Sequence, residues 1–232
     1  MDSSGQLESP VQSFHDSGFV LNPPAASHTI SADGKKITIR ALPKTDWWRL
    51  PPPEPVESRS GAFFGLTIDA TRNFAASVWI RGEWDTQFDQ GCLMLLAGNS
   101  SDVKGDWIKA GVELETGREY IGGVVTSPWS DWAISPAEHS TSTLGDSSYS
   151  LYMKIVREGP LLTVSHRLAV DTAEPAEADL VKIREVRGFN VDVEGKAMAK
   201  EGDKWRIGPM VCGPMKSDGL VAEFQKFSFQ YV

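Results

Sequence analysis

Residues 107–115 read Trp-Ile-Lys-Ala-Gly-Val-Glu-Leu-Glu, and no other stretch narrows the choice of fold as much. Ile108, Ala110, Val112 and Leu114 fall on every second position, the period of a β-strand and not of a helix. The side they form is purely apolar and has to meet a second layer. The opposite side carries Trp107, Lys109, Gly111, Glu113 and Glu115, a polar row with room left at the glycine. A merely solvated face would show the same alternation. Trp107 is the extra ingredient, since a ring of that size is seldom left to water.

The rest of the chain follows the same pattern. Segments of strand character recur at 28–31, 36–42, 62–69, 75–84, 92–97, 120–126, 149–157, 161–168, 182–186, 205–212 and 221–231. Turn residues separate several of them: Asp33-Gly34, Thr116-Gly117, Glu158-Gly159-Pro160 and Ser217-Asp218-Gly219. Pro51-Pro52-Pro53-Glu54-Pro55 cannot be a central strand, because proline lacks the ladder hydrogen, and reads as a stiff exposed loop. No helical period of 12 residues or more is present, and 174–180 makes a short turn at most. Ten or more short strands spaced in this way predict an all-β, two-sheet antiparallel sandwich or jelly roll. Its expected extent is one domain over 28–232, preceded by a polar, loosely packed lead-in at 1–27. At 232 residues and 41% apolar, one large sandwich with a substantial core is an ordinary outcome.

Charge removes several function classes. A net charge of −8 offers no basic stripe to displace counterions from nucleic-acid phosphates, nor attraction to an anionic membrane surface. No apolar run approaches the roughly 20 residues of a membrane span. The first 14 residues lack the basic and apolar regions of a secretory signal, so a cytoplasmic protein with reduced thiols is expected. Cys92 and Cys212 lie in apolar stretches outside any metal-ligand spacing and read as buried free thiols. The glycosylation sequon at Asn99-Ser100-Ser101 is then a chance match. His15, His28, His139 and His166 are scattered, without a zinc spacing, and no phosphate loop or nucleophile elbow occurs. Ile121-Gly122-Gly123 reads as close strand packing.

Several motifs, in this order, resemble a known family: Thr45-Asp46-Trp47-Trp48, then Asp89-Gln90-Gly91-Cys92-Leu93-Met94 and Trp107-Ile108-Lys109-Ala110-Gly111-Val112-Glu113. Val124-Val125-Thr126 with Ser130-Asp131-Trp132, and finally Gly208-Pro209-Met210, complete the set. Together they are similar to the "regulation of enolase" proteins, within the concanavalin A-like lectin/glucanase superfamily, and the likeness runs from about residue 28 to the end. It implies a concanavalin A-like jelly roll with a ligand face on the concave sheet. The family label also implies a metabolic enzyme as partner. The proline-rich loop after Trp48 and an acidic insertion at 171–179 depart from the pattern; both are expected at the rim of a groove.

The candidate ligand site is Trp47, Trp48, Asp89, Gln90, Trp107, Lys109, Glu113 and Trp132, with Asp131 joining Glu113 and Lys109 as candidate catalytic groups. Aromatic rings offer platforms for the apolar faces of sugar rings, and carboxylates and amides meet hydroxyls. The expected partner is a small molecule or carbohydrate, and the chain a monomer or weak dimer. No cofactor is called for; a calcium ion would draw on Asp89, Asp131 and backbone carbonyls. The alternative is a cofactor-free enzyme of isomerase, cyclase or lyase type acting in the same groove. A retaining glycosidase is the weaker form of it. Glu113 and Glu115 share a face, but the position where a third carboxylate is needed is Gly117, and Lys109 should keep Glu113 ionised, in a Lys109–Glu113 ion pair along the strand.

Overall fold

The computed structural model describes residues 9–53, 55–98, 105–137 and 149–232. Glu54, the sequon at 99–101 and His139 fall outside them. Sixteen strands are formed among the described residues, and one turn of 3₁₀ helix at Glu177–Asp179 stands where a short turn was expected. No helix among them is long and apolar enough to cross a membrane.

The first sheet has seven strands in the order β1 (Phe19–Asn22), β6 (Ala62–Asp69), β15 (Lys204–Cys212), β8 (Gln90–Leu96), β9 (Trp107–Glu115), β10 (Arg118–Thr126) and β11 (Ser130–Pro136). The second runs β14 (Val181–Val186), β13 (Leu161–Ala169), β12 (Ser150–Glu158), β7 (Phe74–Gly82), β16 (Val221–Tyr231), β3 (Lys36–Arg40) and β2 (Ser27–Ile30). Every pairing is antiparallel, and the two sheets make a jelly-roll sandwich. The even positions of β9 point inward as the alternation required: Ile108, Ala110, Val112 and Leu114 join a core with Val78, Ile155, Val164 and Phe224 of the second sheet.

The described part of the lead-in, residues 9–27, is not loose. Phe14 is 1% exposed in the core, Val11 bridges to Phe229, and β1 pairs with β6 over Phe19–Asn22. Its polar composition concealed a few well-placed aromatics: Phe14 and Phe19 pack with Phe64 and Phe227. A third element was also missed. β4 (Trp47–Leu50) and β5 (Val56–Arg59) form a separate hairpin, with the exposed prolines 51–53 at its tip. This hairpin covers the outer face of the first sheet, where Trp47 packs with Phe63, Cys92, Met94, Leu96, Trp107, Met210 and Cys212 in a second apolar cluster. The acidic insertion went elsewhere than expected. It lies on the second sheet, where Tyr152 donates to Glu174 at 2.7 Å, and Lys154 and Arg167 pair with Glu177 and Asp179. Opposite charges displayed by that sheet hold it far from the groove.

Close strand packing at Gly122-Gly123 is borne out: a Cβ on Gly123 would sit 1.9 Å from the Lys109 carbonyl oxygen, and one on Gly122 2.1 Å from that of Ala133. Gly123→Ala is therefore expected to cost at least about 2 kcal/mol in urea denaturation. Gly188→Ala, with nothing within 4 Å of the added carbon, should change stability by less than about 0.5 kcal/mol.

Candidate functional site

The odd positions of β9 face the hairpin side, and register brings specific neighbours beside them. Gln90 of β8 stands directly opposite Glu113, Met94 opposite Lys109, and Leu96 opposite Trp107. On the other flank Val124 of β10 opposes Lys109, and Trp132 of β11 opposes Val124. Of these, Gln90, Lys109, Glu113, Val124 and Trp132, closed by Asp46 at the start of the hairpin, Trp48 within it, and Phe88 and Pro214, line a pocket of about 260 Å³.

Lys109 is 2% exposed, and its Nζ lies 3.1 Å from Asp46 Oδ1. Asp46 is fixed in turn by its own chain: Oδ1 accepts the Trp47 N–H at 2.7 Å, and Ser58 Oγ donates to its carbonyl. Burial works against the ammonium, but Cys212, Asp46, Cys92 and Glu113 around it outweigh burial and hold its pKa above the usual lysine range. Burial pushes the Cys92 thiol up to about 12 and Cys212 well above its ordinary value. Both thiols are thus neutral near pH 7, and Asp46 is the direct counter-charge of Lys109. The expected Lys109–Glu113 ion pair is not formed. Four residues along an extended strand span roughly 13 Å, whereas Asp46 reaches Lys109 from above the sheet.

Glu113 is 8% exposed, and its pKa is raised to about 7. Burial is the largest cause and Asp46 adds to it; the Lys109 charge and the Trp132 indole oppose without prevailing. This corrects the expectation that Lys109 would keep Glu113 strongly acidic: desolvation by the hairpin cover, invisible in a strand pattern, wins. Beside it, Gln90 is 3% exposed and its Oε1 accepts no hydrogen bond from the described residues.

Other expected members are placed differently. Trp107 is fully buried, with the guanidinium groups of Arg49 and Arg59 4.6 and 5.1 Å from its ring centroid. Trp47 is 2% exposed and T-stacked on Trp107 at 5.4 Å, a plug and not a rim. Asp89 is wholly buried outside the pocket, accepting the N–H groups of Asp85 and Thr86 in its own turn. Asp131 alternates with Trp132 and so faces the other way; it pairs with Arg184 at the edge of the second sheet. Asp89 and Asp131 therefore do not form a common calcium ligand set. Trp48, Gln90, Lys109, Glu113 and Trp132 do come together. Asp46 was missed as a site residue, although it stood in a quoted motif; the signal available was that a lysine sharing a strand face with Trp107 needs a carboxylate.

Two outcomes are expected. Asp46→Asn leaves a buried cation without its direct partner and should cost about 2 kcal/mol, while Lys109→Met, close in volume, should cost less than about 1 kcal/mol, both by chemical denaturation. For Glu113 the folded protein retains, between pH 4.5 and about 7, a proton that the unfolded chain has released. Stability accordingly falls as pH rises through that window and levels off above it. Glu113→Gln should be more stable than the parent by on the order of 2 kcal/mol at pH 8 and equal to it near pH 4.

Known proteins are similar to this chain in sequence and in fold. It is 26% identical over 219 residues to "Regulation of enolase protein 1" of Saccharomyces cerevisiae, covering 91% of this chain and 88% of that protein. The crystal structure of a functionally unknown protein from Saccharomyces cerevisiae superposes with a TM-score of 0.68 at 23% identity, over 93% of this chain and 97% of that one. A lectin from Bauhinia forficata in complex with GalNAc has the same fold, with a TM-score of 0.54 at 13% identity over 97% and 98% of the two chains. The likeness to the regulation-of-enolase proteins drawn from the motifs is thus shown, and, matched over residues 20–231, the chain belongs to the family described as "Protein of unknown function (DUF1349)".

Proposed function

We propose that the pocket beneath the hairpin binds a small polar molecule, a saccharide or a comparable hydroxylated compound. The single observation that carries this reading is Gln90, which lines the pocket directly across from Glu113 and is 97% hidden, its Oε1 buried without a partner among the described residues. A buried acceptor left without a donor costs about 1–3 kcal/mol. A ligand hydroxyl would satisfy it and could be shared with Glu113. Trp132, 38% exposed, and Trp48 supply ring surface beside these polar groups, the combination that sugars require. The lectin with this fold was captured with GalNAc, which supports the ligand class.

A second reading rests on a different observation. A carboxyl with a pKa of about 7 is divided between acid and base at neutral pH, the condition for general acid–base work. In a cofactor-free isomerase or lyase Glu113 would move the proton, while Lys109, held by Asp46, would stabilise negative charge developing nearby. Binding without turnover leaves the first reading standing alone. A rate that rises with pH through about 7 and is lost in Glu113→Gln supports the second.

The test is a calorimetric titration with a panel of mono- and disaccharides and small polyols. Gln90→Met should match or exceed the parent in stability, by up to about 1 kcal/mol, and bind at least about tenfold more weakly. Trp132→Ala should also weaken binding, by roughly 0.5–1.5 kcal/mol. Binding that survives both substitutions undiminished places the ligand elsewhere and sinks the proposal.

A further inference from the structure

At the end of the sandwich where β12 finishes and β15 begins lies another cavity, of about 370 Å³, which shares no lining residue with the pocket under the hairpin. Its wall includes Arg157, a residue out of keeping with its row. Leu151, Met153 and Ile155 precede it at alternate positions of β12 and belong to the core between the sheets. Arg157 takes the next inward position and is only 8% exposed. A charge there is normally paired with another.

Arg157 has no such pair among the described residues. Its Nε donates to the Gly159 carbonyl at 3.2 Å, and Nη1 donates to the carbonyls of Ala70 and, at 3.4 Å, Arg72. The guanidinium stands 4.4 Å from the Trp205 ring centroid. Carbonyls and a ring are neutral, and the Asp69 carboxylate acts on the charge only from beyond ion-pair distance, so the guanidinium has no direct counter-ion among the described residues, and Nη2 takes part in none of these hydrogen bonds. Around it the cavity is mostly apolar, with Leu162, Phe189, Val191 and Trp205 beside the polar Thr71 and Asn190, and Phe189 is edge-on to Trp205 at 5.6 Å. No second cation is found among the described lining residues. A phosphate dianion draws on several cationic donors, whereas one guanidinium edge beside aromatic walls matches a singly charged carboxylate with an apolar body.

We propose that this cavity binds a small monocarboxylate carrying an aromatic or branched apolar group. The carboxylate accepts from Arg157 Nη2, and the apolar body rests on Trp205 and Phe189. The competing account makes Arg157 a stitch that ties the 70–72 and 159 turns together and does nothing else. The two accounts differ in whether the charge has an external partner.

The experiment titrates the full chain with phenylacetate, 2-phenylethanol and inorganic phosphate, by calorimetry and thermal shift. Phenylacetate should bind saturably and raise the melting temperature. The uncharged alcohol should bind at least about tenfold more weakly, because it lacks the charge-assisted hydrogen bond, and phosphate should not compete. Arg157→Gln also removes the three carbonyl contacts and is expected to lower stability, so a second variant carries the decision. Ala197→Phe alters an exposed position at the cavity wall, keeps Arg157, and should melt within a few degrees of the parent while losing at least about tenfold in phenylacetate affinity. Absence of saturable phenylacetate binding, equal affinity for the alcohol, tighter binding of phosphate, or undiminished binding by Ala197→Phe would each overturn the proposal.

Discussion

A polar side chain on a strand normally has one side of the sheet where water waits for it. β9 has no such side: from Trp107 to Leu114 every residue is buried, the even ones against the second sheet and the odd ones beneath the hairpin. Lys109 and Glu113 must therefore find their counter-charges inside the protein. Asp46 answers that need for Lys109 from a segment 63 residues away, and in doing so fixes where the hairpin can sit. Glu113 is left with incomplete compensation, which is why it holds its proton toward neutrality. The chemistry of the pocket follows from covering a charged strand face.

The cover is held by polar contacts as well as by the packing of Trp47. Arg49 reaches from β4 to the carbonyls of Gly105 and Pro128, its backbone N–H donates to Ser130 Oγ, and its guanidinium lies against Trp107. Charge-assisted bonds to carbonyls fix direction as well as distance. Asp46 and Trp48 are thus presented to the pocket in one orientation, a requirement for any site that is to recognise hydroxyl geometry.

The sandwich was legible because period-two alternation is local: β6 and β16 were outlined to the residue, and the inward row of β9 was right at every position. The hairpin was not, since Pro51–Pro53 masked two short strands whose partner lies in another layer. The site was legible where it depended on parity along one strand or on direct cross-strand neighbours, as for Lys109, Glu113 and Gln90. It failed where only the third dimension decides. Asp131 sits next to Trp132, yet alternation turns it to the other face. Trp47 and Trp107 looked like platforms because sequence gives no hint that they face each other under a lid. The raised pKa of Glu113 was missed for the same reason.

The hairpin's contacts differ in reach from those that join the strands directly beneath it. The strands beneath it, β8, β9, β10 and β11, follow one another in the chain and pair in that order, β9 and β10 through Thr116-Gly117. The hairpin instead touches β9 and β11 across 63 and 81 residues of chain. Its docking has a surface to land on only after those strands have paired, so pocket closure is expected late in folding. By the same logic it is the part that can come away first while the two sheets stay joined. Water would then reach Lys109, Glu113 and the two thiols together, and the buried sulfurs would become chemically accessible in a molecule that is otherwise still folded.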